Sequence, residues 1–200
     1  MPVRSADQPL LPPLQQQRQQ IRQQMRRQRQ ALSPAQQHAA SKRLGKNLST
    51  SLLIRRAERI GIYLAADGEL DPLPALLAIQ HRRHKLYLPI LPKHADAVLH
   101  FAAWQPGTNL VSNHYGIGEP PLQQQLTPLW SLDILLMPLV AFDAAGNRLG
   151  MGGGFYDKAL AVLARQPRRP LLLGVAHAFQ QLEALPAAPW DQPLDGVITD

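Results

Sequence analysis

Short apolar runs alternate with amphipathic stretches along this chain. Residues 59–64, 85–90, 134–139, 171–176 and 197–199 are brief and largely apolar, as strands covered on both faces require. The stretches between them carry helical spacing. Ser33-Pro34-Ala35-Gln36 reads as a helix start, with Ser33 as N-cap, proline in the first turn and Gln36 reaching back. Leu44, Leu48 and Leu52 then recur every four residues and predict one buried side. Asp71-Pro72 opens a further helix with Leu73, Leu76 and Leu77 inward, and residues 158–163 read as another. Residues 98–102 follow a short connection and predict an antiparallel strand. Residues 105–131, rich in proline and glycine, read as loop.

This order predicts an α/β fold: a largely parallel, mixed, Rossmann-like sheet flanked by helices. Residues 1–13 hold four prolines and are expected to be a disordered leader, with one domain over 14–200. Residues 15–32 are rich in glutamine and arginine but helically patterned. Arg18, Arg22, Arg26 and Arg29 share one face, with Ile21, Met25 and Leu32 as a thin apolar stripe. The narrow stripe predicts a helix lying across the sheet edge.

Composition narrows the class. The chain has no cysteine, which excludes disulfides and thiolate metal sites. Its start lacks the apolar core of a signal peptide, and no apolar run approaches a membrane span. A cytoplasmic protein without a membrane partner is expected. The net charge of +7 points to polyanionic ligands, either nucleic acid or a multiply charged small molecule.

The chemistry concentrates in Arg148-Leu149-Gly150-Met151-Gly152-Gly153-Gly154-Phe155-Tyr156-Asp157. A strand, a turn, a glycine-rich loop and a helix start in that order suit a phosphate, because backbone N–H groups and the positive dipole end point at it. Arg148 adds a planar charged fork. Asp157 is a hard-oxygen ligand suited to Mg²⁺. The loop is neither a dinucleotide fingerprint, since Phe155 stands where glycine is needed, nor a P-loop, since Lys158 is followed by Ala159.

Residues 143–157 resemble the signature of the 5-formyltetrahydrofolate cyclo-ligase (5,10-methenyltetrahydrofolate synthetase) family, and the likeness runs from about Arg18 to the C-terminus. The resemblance implies a Mg²⁺-dependent enzyme using ATP as co-substrate. ATP would phosphorylate the formyl oxygen of 5-formyltetrahydrofolate, N10 would close the ring, and 5,10-methenyltetrahydrofolate, ADP and phosphate would leave. It implies ATP contacts at Arg18, Arg22 and residues 148–156, with Arg148 and Tyr156 catalytic. It implies substrate contacts at Leu64, Glu69, Tyr115 and Phe155, and metal contacts at Asp157 and either Asp191 or Asp195. A monomer acting on a folate, polyglutamylated or not, and on no nucleic acid is expected.

The chain departs from the family pattern at three places. Arg18 replaces a lysine, Gly118 a proline in Tyr115-Gly116-Ile117-Gly118-Glu119-Pro120, and Phe155 a tyrosine. Other residues read as structural. Asp67-Gly68 reads as a turn, His177 as a strand-end histidine, and Trp104, Trp130 and Trp190 as packing residues. His81-Arg82-Arg83-His84 reads as a helix end, since its arginines oppose a cation. No Ser-His-Asp or Cys-His arrangement is present. The rival reading is a nucleic-acid-binding protein using the Arg18 to Arg29 face.

Overall fold

A computed structural model describes residues 12–79, 84–92, 99–121, 125–163, 166 and 168–200. Helix α1 (Pro12–Gln30) leads to α2 (Pro34–Thr50), α3 (Leu52–Arg56), β1 (Arg59–Gly61), α4 (Leu73–Ala78), β2 (Lys85–Ile90) and β3 (His100–Trp104). A hairpin of β4 (Val111–Ser112) and β5 (Gly118–Glu119) precedes β6 (Leu126–Thr127) and β7 (Ile134–Pro138). Then come β8 (Ala141–Asp143), β9 (Arg148–Leu149), α5 (Phe155–Leu163), β10 (Leu171–Ala176), β11 (Gln181–Leu182) and β12 (Gly196–Thr199).

The main sheet runs β12-β10-β7-β1-β2-β3-β6. Its first five strands are parallel, while β3 and β6 are antiparallel additions. Alternation along each strand splits its side chains between two cores. Ile134, Leu136, Leu86, Leu88, Leu173 and Val175 join Leu44, Leu48, Ile54 and Leu76 on one face. Leu135, Met137, Tyr87 and Leu172 join Phe101, Ala159, Leu160 and Leu163 on the other. The chain steps from β1 to β2 on one side and later returns to place β7 on the other side of β1. Ligands of such sheets gather beyond the strand ends at this reversal.

Several expectations are revised. Residues 12 and 13 of the expected leader belong to α1, where proline is tolerated in the first turn; residues 1–11 lie outside the described residues. Leu52 leaves the buried stripe. Ser51 ends α2, and its hydroxyl accepts from the Ile54 N–H to start α3, so Ile54 is buried and Leu52 is 60% exposed. Trp130 is also exposed, because Leu129 takes the inward position of that turn. The 80–83 segment lies outside the described residues, as does Val98; the strand expected at 98–102 is found at His100–Trp104.

A second sheet went unseen in the sequence: β11-β8-β9, with β8 and β9 antiparallel. Helix α1 packs on it through Met25 and Ile21, against Val140, Ala141 and Leu149. It therefore does not cross the edge of the main sheet. The β8–β9 turn closes on Asp143, whose oxygens accept from the N–H groups of Ala145, Asn147 and Leu185 and from the Asn147 amide.

Candidate functional site

Two loops are tied to helix α1. One follows β1 (residues 62–70) and the other follows β9 (residues 150–154). The β9 loop opens directly into α5, with Asp157 in the first helical turn and the Lys158 N–H closing on the Gly154 carbonyl at 3.0 Å. Gly152 has φ +106° and Gly154 φ +67°, backbone that a side chain rarely adopts, so the loop shape depends on glycine there. Residues 150–153 are exposed, leaving the loop open to a ligand.

Helix α1 lies along both loops. Arg22 reaches the glycine loop, its Nε donating to the Gly150 carbonyl at 2.8 Å, and its guanidinium is 3.6 Å from where a Cβ on Gly152 would stand. Its pKa is lowered, first by burial and then by the neighbouring Arg18 charge. An anion there would relieve that repulsion. Arg18 is buried in a two-pronged pair with Asp191, at 2.6 and 3.2 Å, and also donates to the Pro186 carbonyl. The cation that stands in place of lysine thus meets a carboxylate with both prongs of its fork.

Arg148 is buried beneath the glycine loop and donates to Asp157 and to the Gln192 carbonyl. Asp157 is held above the usual carboxylate range, chiefly by burial, with Arg148 opposing and Asp191 adding to the rise. Asp157 and Asp191 therefore share one field. Asp195 does not join them, because it pairs with Arg169 at 2.6 and 2.7 Å and accepts from the Leu172 N–H. Asp191 is engaged by an arginine fork in the same way, through Arg18, and it is Asp191 whose charge acts on Asp157. Among the described residues no group of three or more His, Cys, Asp and Glu could hold a metal. A pair of carboxylates beside a phosphate-shaped loop still fits Mg²⁺, which commonly takes one or two carboxylates plus phosphate oxygens.

Across the reversal stands Glu69. Its side chain is 12% exposed, and one oxygen accepts from the Ala66 N–H at 3.1 Å. Burial pushes its carboxyl up, while that hydrogen bond and Arg29 pull it down. Burial also pushes up the Tyr156 phenol, in the first turn of α5, and the Glu69 charge adds to that rise. The β4–β5 hairpin closes one side. Tyr115 meets Phe155 edge-on with ring centroids 6.1 Å apart, and a Cβ on Gly118 would sit 3.5 Å from Leu64. Of the expected apolar contacts, Tyr115 thus pairs with Phe155, and Leu64 lies against Gly118 of the same hairpin.

Two features were misread or missed. Asp67 is more than a turn residue: it binds Arg26, Arg29 and Gln30 of α1. Arg29 lies on the shared arginine face of α1, yet it is 1% exposed and faces no solvent. A signal for this existed, since Arg18 to Arg29 spans about 16 Å of helix, too long for one triphosphate. His177 is structural, as expected: it is buried, with Nε2 3.3 Å from the Gly68 carbonyl oxygen and Nδ1 3.8 Å from Asp200.

The match to known proteins decides the family. Residues 14–200 fit the model of the 5-formyltetrahydrofolate cyclo-ligase family. This chain belongs to that family. The 5-formyltetrahydrofolate cyclo-ligase of Escherichia coli (strain K12) is 38% identical over 170 residues, covering 84% of this chain and 92% of its own. The Haemophilus influenzae cyclo-ligase is 39% identical over 168 residues, covering 84% and 89%. Among solved structures, the Aquifex aeolicus 5,10-methenyltetrahydrofolate synthetase superposes with TM-score 0.76 at 27% identity, over 90% of this chain and 88% of that one. The Mycoplasma pneumoniae synthetase, at 24% identity and TM-score 0.70, shares the fold over 92% and 98%. The family is one of ligases. No helix among the described residues is long and apolar enough to cross a membrane.

Proposed function

We propose that this cyclo-ligase family member converts 5-formyltetrahydrofolate to 5,10-methenyltetrahydrofolate at the expense of Mg-ATP. The observation that carries the reading is the placement of Arg22 on an open glycine loop leading into α5, while the same helix grips the turn that carries Glu69. A polyphosphate fits the first, and a flat polar ring with N–H donors fits the second.

In this reading residues 149–155 and Arg22 hold the phosphates, with the α5 N-terminus aimed at them. Arg148 and Arg18 act through the carboxylates they pair with. Asp157 and Asp191, each also paired with an arginine, would hold Mg²⁺, which would neutralise phosphate charge. Glu69 accepts from the N–H edge of the pterin, while Leu64, Tyr115 and Phe155 enclose the ring. The reaction needs no enzyme nucleophile. ATP transfers its terminal phosphoryl group to the formyl oxygen, which makes that oxygen a good leaving group. N10 attacks the activated carbon, and phosphate departs as the ring closes. The protein's part is to align the formyl oxygen with the terminal phosphate and to exclude water. Tyr156, in the first turn of α5 beside the glycine loop, carries its proton at neutral pH and donates to the ligands.

The rival reading, nucleic-acid binding by the arginine face of α1, needs exposed cations. Arg18 and Arg29 are buried and spoken for by carboxylates. Mixing the protein with Mg-ATP and 5-formyltetrahydrofolate and following the absorbance of the methenyl product tests the proposal. No product at any Mg-ATP concentration overturns it.

A further inference from the structure

Arg29 lies about two turns along α1 from Arg22, toward the C-terminal end of the helix. Its contacts all go to the turn that carries Glu69. Nε donates to the Asp67 carbonyl and Nη2 to the Asp67 carboxylate, both at 2.7 Å. Nη1 is buried without a hydrogen-bond partner and sits 3.8 Å from Glu69 Oε1. That distance is too long for a hydrogen bond, though short for two opposite charges in a buried place.

The turn itself is strained and tightly held. Asp67, a residue with a Cβ, has φ +53°, and Gly68 follows at φ +74°, where a Cβ would meet the Arg29 carbonyl oxygen at 3.1 Å. Such a conformation persists only where its surroundings impose it. Here α1 grips Asp67 through Arg26, Arg29 and Gln30. From other elements, the Gln37 amide donates to the Gly68 carbonyl at 2.9 Å, and His177 Nε2 approaches the same oxygen. Glu69 follows directly. The Ala66 N–H occupies its Oε2, whereas Oε1 has no hydrogen bond among the described residues.

We propose that Arg29 is a positioning residue for the folate half of the reaction. It imposes the Asp67–Gly68 turn and sets a fixed positive charge behind Glu69, which leaves Oε1 charged and free to accept from the substrate. Arg29 does not touch the substrate. The inference rests on the folate reading above, and on the same helix serving nucleotide with one end and folate with the other.

Calorimetric titration of 5-formyltetrahydrofolate, and separately of Mg-ATP, into four proteins tests it: wild type, Arg29→Lys, Glu69→Gln and the double variant. Lysine keeps the charge but loses the fork that grips carbonyl and carboxylate together. Arg29→Lys is expected to weaken 5-formyltetrahydrofolate by about tenfold or more, the loss of charge-assisted hydrogen bonds, and to leave Mg-ATP within about twofold. In the Glu69→Gln background the same change is expected to cost less than about twofold further, because Arg29 acts through Glu69. An equal loss for both ligands, or a full tenfold loss without Glu69, overturns the proposal in favour of a general structural role. Unchanged folate affinity overturns it outright. Should Arg29→Lys fail to fold, Asp67→Asn, which keeps Arg29 but removes its partner's charge, carries the same expectations. If wild type binds Mg-ATP but no 5-formyltetrahydrofolate, the folate reading itself falls and this inference with it. If wild type binds and only Glu69→Gln loses affinity, the reading stands and Arg29 has no part in it.

Discussion

Removing the Asp191 charge is expected to be one of the most destabilising single-atom-scale changes available in this protein. Asp191 and Arg18 are 8% and 7% exposed at their side chains and joined by two hydrogen bonds. Asp191 also accepts from the Ala188 N–H at 2.8 Å, so it ties α1 to the segment before β12. Asp191→Asn keeps the shape and leaves Arg18 charged and buried. Stranding one partner of a buried pair costs about 3–5 kcal/mol. At roughly 2–4 °C per kcal/mol for a chain of this size, the melting temperature falls by about 6–20 °C. Arg18→Lys, the residue usual in the family, keeps the charge and loses one prong, for about 1 kcal/mol. Replacing both, Arg18→Met with Asp191→Leu, removes both charges and is expected to recover most of the single-variant loss. Urea unfolding followed by circular dichroism measures all four. An Asp191→Asn protein within about 1 kcal/mol of wild type would mean that the pair behaves as a solvated surface bridge, and the reasoning fails.

Asp157→Asn is expected to abolish most turnover across a Mg²⁺ titration while circular dichroism stays unchanged; near-normal turnover at low Mg²⁺ would remove Asp157 from the metal site. Arg22→Ala is expected to raise KM for ATP more than KM for the folate, since its guanidinium faces the glycine loop and not Glu69. The Asp67 carboxyl is lowered from its usual value to about 2, chiefly by the Arg26 hydrogen bond. Its folded pKa lies below its unfolded one, so its contribution is complete above about pH 4 and is lost as pH falls toward 2. Urea unfolding of wild type and Asp67→Asn is expected to differ at pH 7 and to converge by about pH 2; a gap that stays constant would refute the assignment.

Local patterns carried the alternation of strands and helices, the parallel sheet, the Ser33 capping box and the glycine loop before α5, because each depends on residues close in sequence. The likeness of residues 143–157 to one family was legible for the same reason. Elements of two or three residues were not. Strands β8, β9 and β11 have too few positions to show a period, and they exist through pairing across long stretches of chain. The same limit explains the arginines of α1. Their spacing placed Arg18, Arg22, Arg26 and Arg29 on one face, and a charged face is usually solvated. Only the folded chain set Asp191 against Arg18, 173 residues away, and Asp67 against Arg29, 38 residues away. A buried charge is tolerable only beside its partner, and a partner so distant leaves no trace in local periodicity. Sequence alone therefore determined the elements and the glycine loop, while tertiary structure decided which cations lie on that loop and which pair with distant carboxylates.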